Sequence, residues 1–219
     1  LDEKLYQRVR TVYDARVSLV LDPEELRLVE LTHRDFVRRG AALEDAAKAR
    51  MKEINARLSE LNTVFGQNLL KQTKSFELHV TDEADLAGLP DNMLGSARAK
   101  AEARGKEGWV FGLDRGTYEG FMTFADNREL RKELNAAYRA RGAQGDDQDN
   151  RDILTEVAKL RAERAQLMGY PNHAAYVLET NMAKTPEKVE SFLGEVWEPG
   201  LAKAQEELAE MQQIVQEEG

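Results

Sequence analysis

The 219-residue chain has no cysteine, so disulfides and thiolate chemistry are excluded and the redox compartment leaves no mark on it. Histidine is nearly absent, with His33, His79 and His173 the full set. A helix-borne zinc site needs two histidines one turn apart and a glutamate to activate the bound water. None of the three is followed by glutamate, and none lies within four residues of another. No apolar run approaches the roughly 20 residues of a membrane span. Basic charge is short as well: 31 Lys and Arg against 40 Asp and Glu leave a net charge of −9. That balance lacks the basic face that nucleic acid or an anionic membrane requires, and neither is an expected partner. Ser59, Ser75 and Ser191 stand in no nucleophile-elbow setting. The loop Gly105-Lys-Glu-Gly108 lacks the basic, aromatic-laced surroundings of a nucleic-acid loop.

What remains is a globular composition, 42% hydrophobic and 32% charged with a mean hydropathy of −0.60, suited to many solvent-facing helices. Leu5, Val9, Val12, Val17 and Val20 are spaced as a first helix. Asp22-Pro23-Glu24-Glu25 starts a second, with Asp as N-cap, Pro at the first helical position and Glu at the third. Leu26, Val29, His33, Phe36 and Val37 share its face, and Gly40 stops it. A third helix spans about 43–71 with an apolar seam at Met51, Ile54, Leu58, Leu61, Phe65 and Leu69. That seam reads as core, with a dimerising coiled coil as the rival.

The period then changes. Residues 76–80 alternate as a strand, and 109–113 and 120–124 give two more, making a three-stranded antiparallel sheet with a helix over 91–104 inserted. Asp114 to Glu119 reads as a turn-rich loop. A capping box at Asp126-Asn-Arg-Glu129 opens a helix carrying Leu130, Leu134 and Tyr138. Asn150 caps the next helix, whose inner face is Ile153, Val157, Leu160, Arg164 and Leu167, ending at Gly169. Residues 170–176 start a short helix. Thr185-Pro186-Glu187 starts another, with Val189, Phe192, Leu193, Val196 and Trp197 inward. Pro199 is expected to break or kink it. Leu201, Ala204, Leu208, Met211 and Val215 run helical to the end. The fold class is mainly α: helical bundles and hairpins with a small sheet. The chain reads as one segment, with helices over 1–71, sheet and inserted helix over 76–124, and a hairpin with further helices over 126–219. The chain begins at Leu1 and ends at Gly219 inside helical patterns, so it is expected to be an internal piece of a longer protein.

The acidic turn Asp146, Asp147, Asp149 and Asp152 invites a calcium reading. An EF-hand needs glycine at its sixth position, and counting from Asp147 that position is Asp152. Helix capping and a solvated turn are expected instead. Arg128, Arg131, Arg161 and Arg164 gather on the hairpin, where salt bridges to Glu129, Glu133 and Glu163 explain them, or else a contact to a peptide carboxylate. The residues thus supply no catalytic or metal-binding candidate, and substrate-binding residues stay unassigned.

Five stretches in order carry a resemblance: DPEELRLVE…DFVRRGAAL, KARMKEINARLSELNTVFGQNLL, ADNRELRKEL, DNRDILTEVAKLRAERAQLMGYPNHAAYVLE and MAKTPEKVESFL. Their wording and spacing resemble the thimet-oligopeptidase-like zinc metallopeptidases, with the bacterial peptidyl-dipeptidase (Dcp) type as the nearest form. The resemblance covers the helical part upstream of the family's His-Glu-x-x-His motif, which has no counterpart here. One departure is local: relatives carry a proline-containing loop where this chain has Arg115-Gly116-Thr117. The resemblance implies a neurolysin-like channel fold with zinc at its base in the parent and none held by this chain. It implies short peptides as substrates of a monomeric parent, the catalytic half as the missing partner, and a cytoplasmic setting with the periplasm as alternative. The chain itself is expected to be non-catalytic channel-wall scaffold, with apolar surface bared where the catalytic half would lie. The rival expectation is a free-standing helical interaction protein.

Overall fold

The computed structural model describes residues 2–218. In chain order the elements are α1 (Glu3–Ala15), α2 (Pro23–Arg38), α3 (Asp45–Ser75), β1 (Leu78–Val80), α4 (Asp91–Glu102), β2 (Trp109–Phe111), α5 (Arg115–Phe124), α6 (Arg128–Arg139), α7 (Arg151–Leu167), α8 (His173–Leu178) and α9 (Pro186–Glu218), with a 3-10 turn at Glu83–Leu86. The chain divides into two compact units, residues 1–54 with 159–219, and residues 55–158. Helices α3 and α7 each contribute to both units.

The first unit begins with the α1–α2 hairpin. The α2 N-terminus is closed as its sequence demands. Asp22 accepts from the Glu25 N–H at 2.8 Å, and the Glu25 carboxylate accepts from the Asp22 N–H at 3.0 Å. Gly40, at φ +91°, stops α2, and the Gly40 N–H donates to the Val37 carbonyl at 2.8 Å. Helix α1 stops at Ala15, earlier than its apolar spacing suggests, and Val17 and Val20 lie outside it, exposed. Met51 and Ile54 of α3 are buried, as the core reading of the seam requires. Helix α9 runs unbroken through Pro199, so the expected break does not occur. Phe192, Leu193, Val196 and Trp197 are exposed rather than inward.

The second unit holds the sheet. Strands β1 and β2 pair antiparallel with Leu78 opposite Phe111 and Val80 opposite Trp109. Leu78, Val80, Phe111 and Leu113 form the core with Phe121 and Leu134, and the Phe111 and Phe121 rings meet edge to face at 4.8 Å. Leu58 and Leu61 extend the α3 seam, buried.

The third strand expected over 120–124 is the last half of α5, and the loop expected before it is that helix's start. Asp114 is the N-cap and accepts from the Thr117 N–H at 3.0 Å. Gly120, expected to open the strand, sits inside α5. A β-carbon there would stand 2.7 Å from the Met93 Sδ, so the missing side chain admits α4's methionine. The cap of α6 is also displaced by one residue. Asn127, not Asp126, accepts from the Leu130 N–H, while the Asp126 N–H donates to the Ala87 carbonyl.

Candidate functional site

In the first unit the polar centre is Arg38, at the end of α2. Its guanidinium donates to the Glu179 carboxylate, to the Tyr176 carbonyl at 2.5 Å and to the Tyr170 hydroxyl at 3.3 Å. The Tyr176 hydroxyl donates back to the Arg38 carbonyl at 2.9 Å, and the Tyr170 hydroxyl donates to Glu179 at 2.6 Å. Burial and the neighbouring Glu179 carboxylate push the Tyr170 phenol above its ordinary range. The Arg164 guanidinium lies 5.6 Å from the Tyr176 ring centre. Its expected neighbour Glu163 instead takes a two-pronged bond from Arg50, at 2.6 and 2.9 Å. Of the other hairpin arginines, Arg131 donates to the Ala125 and Asp126 carbonyls, and Arg128 and Arg161 are exposed. Glu129 pairs with Lys132. Glu163 and Glu129 thus pair with Arg50 and Lys132, and Arg131 bonds to backbone, rather than the hairpin groups pairing with one another as expected.

Each histidine has a local environment of its own. His33 stacks on Tyr13 at 3.8 Å between ring centres, with Tyr6 and Phe36 beyond. Desolvation lowers its pKa, with Arg10 and Arg16 adding to the shift and Asp14 opposing it. His173 opens α8; its Nδ1 is buried without a hydrogen bond, and desolvation with Arg164 and Arg161 lowers its pKa. His79 is exposed on β1, with a ring nitrogen 2.7 Å from the Glu107 carbonyl. Among the described residues no three His, Asp or Glu gather as a metal site.

The second unit spends its polar groups on itself. Gln72, buried on α3, accepts from the Gly142 N–H and donates to Asp146 at 3.0 and 3.1 Å. Asn150, also buried, donates to the Phe65 carbonyl and accepts from Asn68 at 3.0 Å. The acidic turn is thereby tied to α3. Asp149 accepts from the Gly145 N–H and from Arg151, whose guanidinium holds that carboxyl far below its usual range. Sequence reasoning missed Gln72, and it read Asn150 only as a helix cap. For Gln72 the signal was available: Leu61, Phe65, Asn68 and Gln72 step by four, three and four, so Asn68 and Gln72 continue the seam of α3.

A cleft of about 190 Å³ lies between α4 and the start of α5. Lys100 donates across it to Asp114 at 3.0 Å and to the Thr117 hydroxyl at 3.3 Å. Burial raises the Asp114 pKa, but bonds from Thr117 and Lys100 outweigh it and the carboxyl titrates below its ordinary range. The cleft's polar groups are bonded to one another, with the Thr117 hydroxyl also donating to Asp114 at 2.8 Å.

The outward-facing feature is apolar. In the first unit Leu5, Val9 and Val12 of α1 face Leu28 and Val29 of α2 across an open groove of about 400 Å³. On α9, Leu193, Val196, Trp197 and Leu201 line a second concavity of about 680 Å³. Patches of this kind are suited to packing against other protein surface.

The chain is similar to known peptidases. Residues 121–219 match peptidase family M3. The whole chain is similar to individual peptidases: 36% identical over 220 residues to oligopeptidase A of Escherichia coli (strain K12), covering 99% of this chain and 32% of that protein. It is 37% identical over 216 residues to dipeptidyl carboxypeptidase of Salmonella typhimurium, covering 98% of this chain and 32% of that protein. The chain is thus similar to peptidases of family M3. Among them it resembles the oligopeptidase A and dipeptidyl carboxypeptidase types, and it spans about a third of the length of these relatives.

Proposed function

We propose that this chain is channel-wall scaffold of an M3-type zinc peptidase acting on short peptides, and that it carries no catalytic group of its own. The observation that carries the reading is the match of nearly the whole chain to one third of each peptidase relative. Two features support it. The three histidines are engaged separately, with a tyrosine ring, a backbone carbonyl and an arginine-rich pocket. The polar networks of the second unit close on themselves and hold α3 and the acidic turn together as a wall would require. In this reading zinc, the water it activates and their ligands belong to parts of the relatives that this chain does not span. The compartment is that of the parent, the cytoplasm, with the periplasm as the alternative.

The test is hydrolysis of a quenched fluorescent peptide by the purified chain with added zinc, with and without chelator. No cleavage is expected. Chelator-sensitive cleavage that disappears when His33, His79 and His173 are replaced by glutamine would overturn the reading.

A further inference from the structure

With no cysteine in the chain, its six methionines carry all of its oxidisable sulfur. Met51 is buried in the α3 seam, Met182 and Met211 lie in water at 100% and 56% exposure, and Met122 and Met168 are half-buried on their helices. Met93 combines access to solvent with a tight fit. Access comes from the cleft between α4 and α5. Met93 is half-buried and lines that cleft with Ser96, Lys100 and Thr117, so a small solute reaches its side chain in the folded chain.

The fit is set by α5. Gly116 and Gly120 stand one turn apart on it, Gly116 lining the cleft and Gly120 leaving room for the thioether. A β-carbon on Gly120 would stand 2.7 Å from the Met93 Sδ and 3.0 Å from its Cε. Met93 also packs against the buried cluster that includes Leu78, Phe111 and Phe121. Its sulfur therefore rests on the backbone of a helix whose interior N–H groups are committed to that helix's own carbonyls. An oxygen added to the sulfur on the α5 side meets backbone with no N–H to offer and no room to spare.

We propose that Met93 is a redox-modification site, at which conversion of the thioether to the sulfoxide loosens α4 from α5. The oxidant is of the hydroperoxide class. With hydrogen peroxide the O–O bond breaks, one oxygen forms the S–O bond, the sulfur gives up two electrons, and the other oxygen leaves as water with both protons. The product is larger and polar. An added atom in a packed contact is unfavourable, and so is a polar group held against apolar surface without a partner. Relief comes from turning the side chain out into the cleft, toward the polar groups of Ser96, Lys100 and Thr117. That movement empties the notch at Gly120 and weakens the hold on α4, whose buried residues are the small Ala97 and Ala101. Reduction of the sulfoxide reverses the change. The residues involved all belong to one compact unit, and the proposal does not depend on the peptidase reading.

Treatment of the whole chain with hydrogen peroxide, followed by peptide mass mapping and amide exchange, tests it, and the absence of cysteine leaves methionine as the reacting sulfur. Met182 and Met211 are expected to convert first and Met51, only 5% exposed, last, with Met93 between them. Once Met93 has converted, amide exchange across α4 and α5 is expected to rise about 5–30-fold. Met93→Leu is expected to remove that rise, since leucine fills a similar space without an oxidisable atom. Each protein is compared with its own untreated form, so the packing cost of the substitution cancels. Treatment with the two methionine sulfoxide reductases, one for each epimer, is expected to restore protection. A Met93 that stays unoxidised when Met182 and Met211 have fully converted, a converted Met93 with unchanged exchange in α4 and α5, or a rise of the same size in Met93→Leu would each overturn the proposal.

Discussion

Gly88 approaches Phe124 so closely that a β-carbon on it would lie 2.1 Å from the Phe124 carbonyl oxygen. Its φ of +84° adds a second reason for glycine at this position. The obstacle is backbone at the end of α5, and the neighbouring Asp126 N–H is committed to the Ala87 carbonyl, so neither side gives way cheaply. Gly88→Ala is expected to destabilise the chain by at least about 2 kcal/mol. Chemical denaturation checks this, and an unchanged midpoint would show that the crossing is looser than described.

Much of this architecture was legible before any coordinates. The α2 start could be read letter by letter, because a capping box is a local device whose two bonds need only four residues. The α3 seam was legible because Met51, Ile54, Leu58 and Leu61 repeat at the helical period and are all buried. Two kinds of reading failed. The strand expected over 120–124 failed because so short a stretch does not separate strand from helix by its period, and Gly120 is small in order to admit Met93 from another helix. The inward face expected on α9 failed because periodicity reports an apolar side but not whether anything covers it. The Arg38 cluster was hidden because its partners lie more than 130 positions away in sequence.

The second prediction concerns Gln72. Its carboxamide is at once the acceptor for the Gly142 N–H and a donor to Asp146. Gln72→Leu keeps the size roughly but strands a buried N–H and removes a partner from Asp146. A loss of about 1–3 kcal/mol is expected. Hydrogen exchange is the sharper readout: the Gly142 amide should lose protection while amides in β1 and β2 keep theirs. Equal loss in both places would mean that the acidic turn and the sheet open together.

The third prediction is an acid-side loss of stability driven by histidine. His33 and His173 both titrate below the ordinary value when folded, because burial disfavours their charged forms and arginines stand nearby. Their unfolded value is about 6.5. A group whose folded pKa is depressed favours folding while it is neutral, so the contribution is complete above about pH 6.5 and declines as pH falls toward the folded values. Denaturation midpoints should therefore drop between about pH 7 and pH 5. The drop should be smaller in a His33→Gln, His173→Gln variant, measured as a difference of slopes so that lost packing cancels. The same slope in both proteins would assign the acid sensitivity to carboxylates instead.

The last prediction separates shape from charge at Arg38. Its side chain is only 14% exposed and serves a carboxylate, a carbonyl and a phenol at once. Lysine keeps the charge but cannot direct donors along two fork-like edges. The guanidinium also lies 4.5 Å from the Tyr176 ring centre, a contact that an ammonium reproduces less well. If the pair with Glu179 were an ordinary exposed ion pair, Arg38→Lys would be nearly neutral, since such pairs contribute about 0–1 kcal/mol. The geometry requires more than that. Arg38→Lys is expected to lose about 1–2 kcal/mol and Arg38→Ala about 2–4 kcal/mol, because the Tyr176 carbonyl and the Tyr170 hydroxyl both lose their donor. Amide exchange across residues 173–179 should rise in step with these losses, since Arg38 joins α8 to α2 through Tyr176. Full retention of stability by the lysine variant would reduce the cluster to a surface salt bridge.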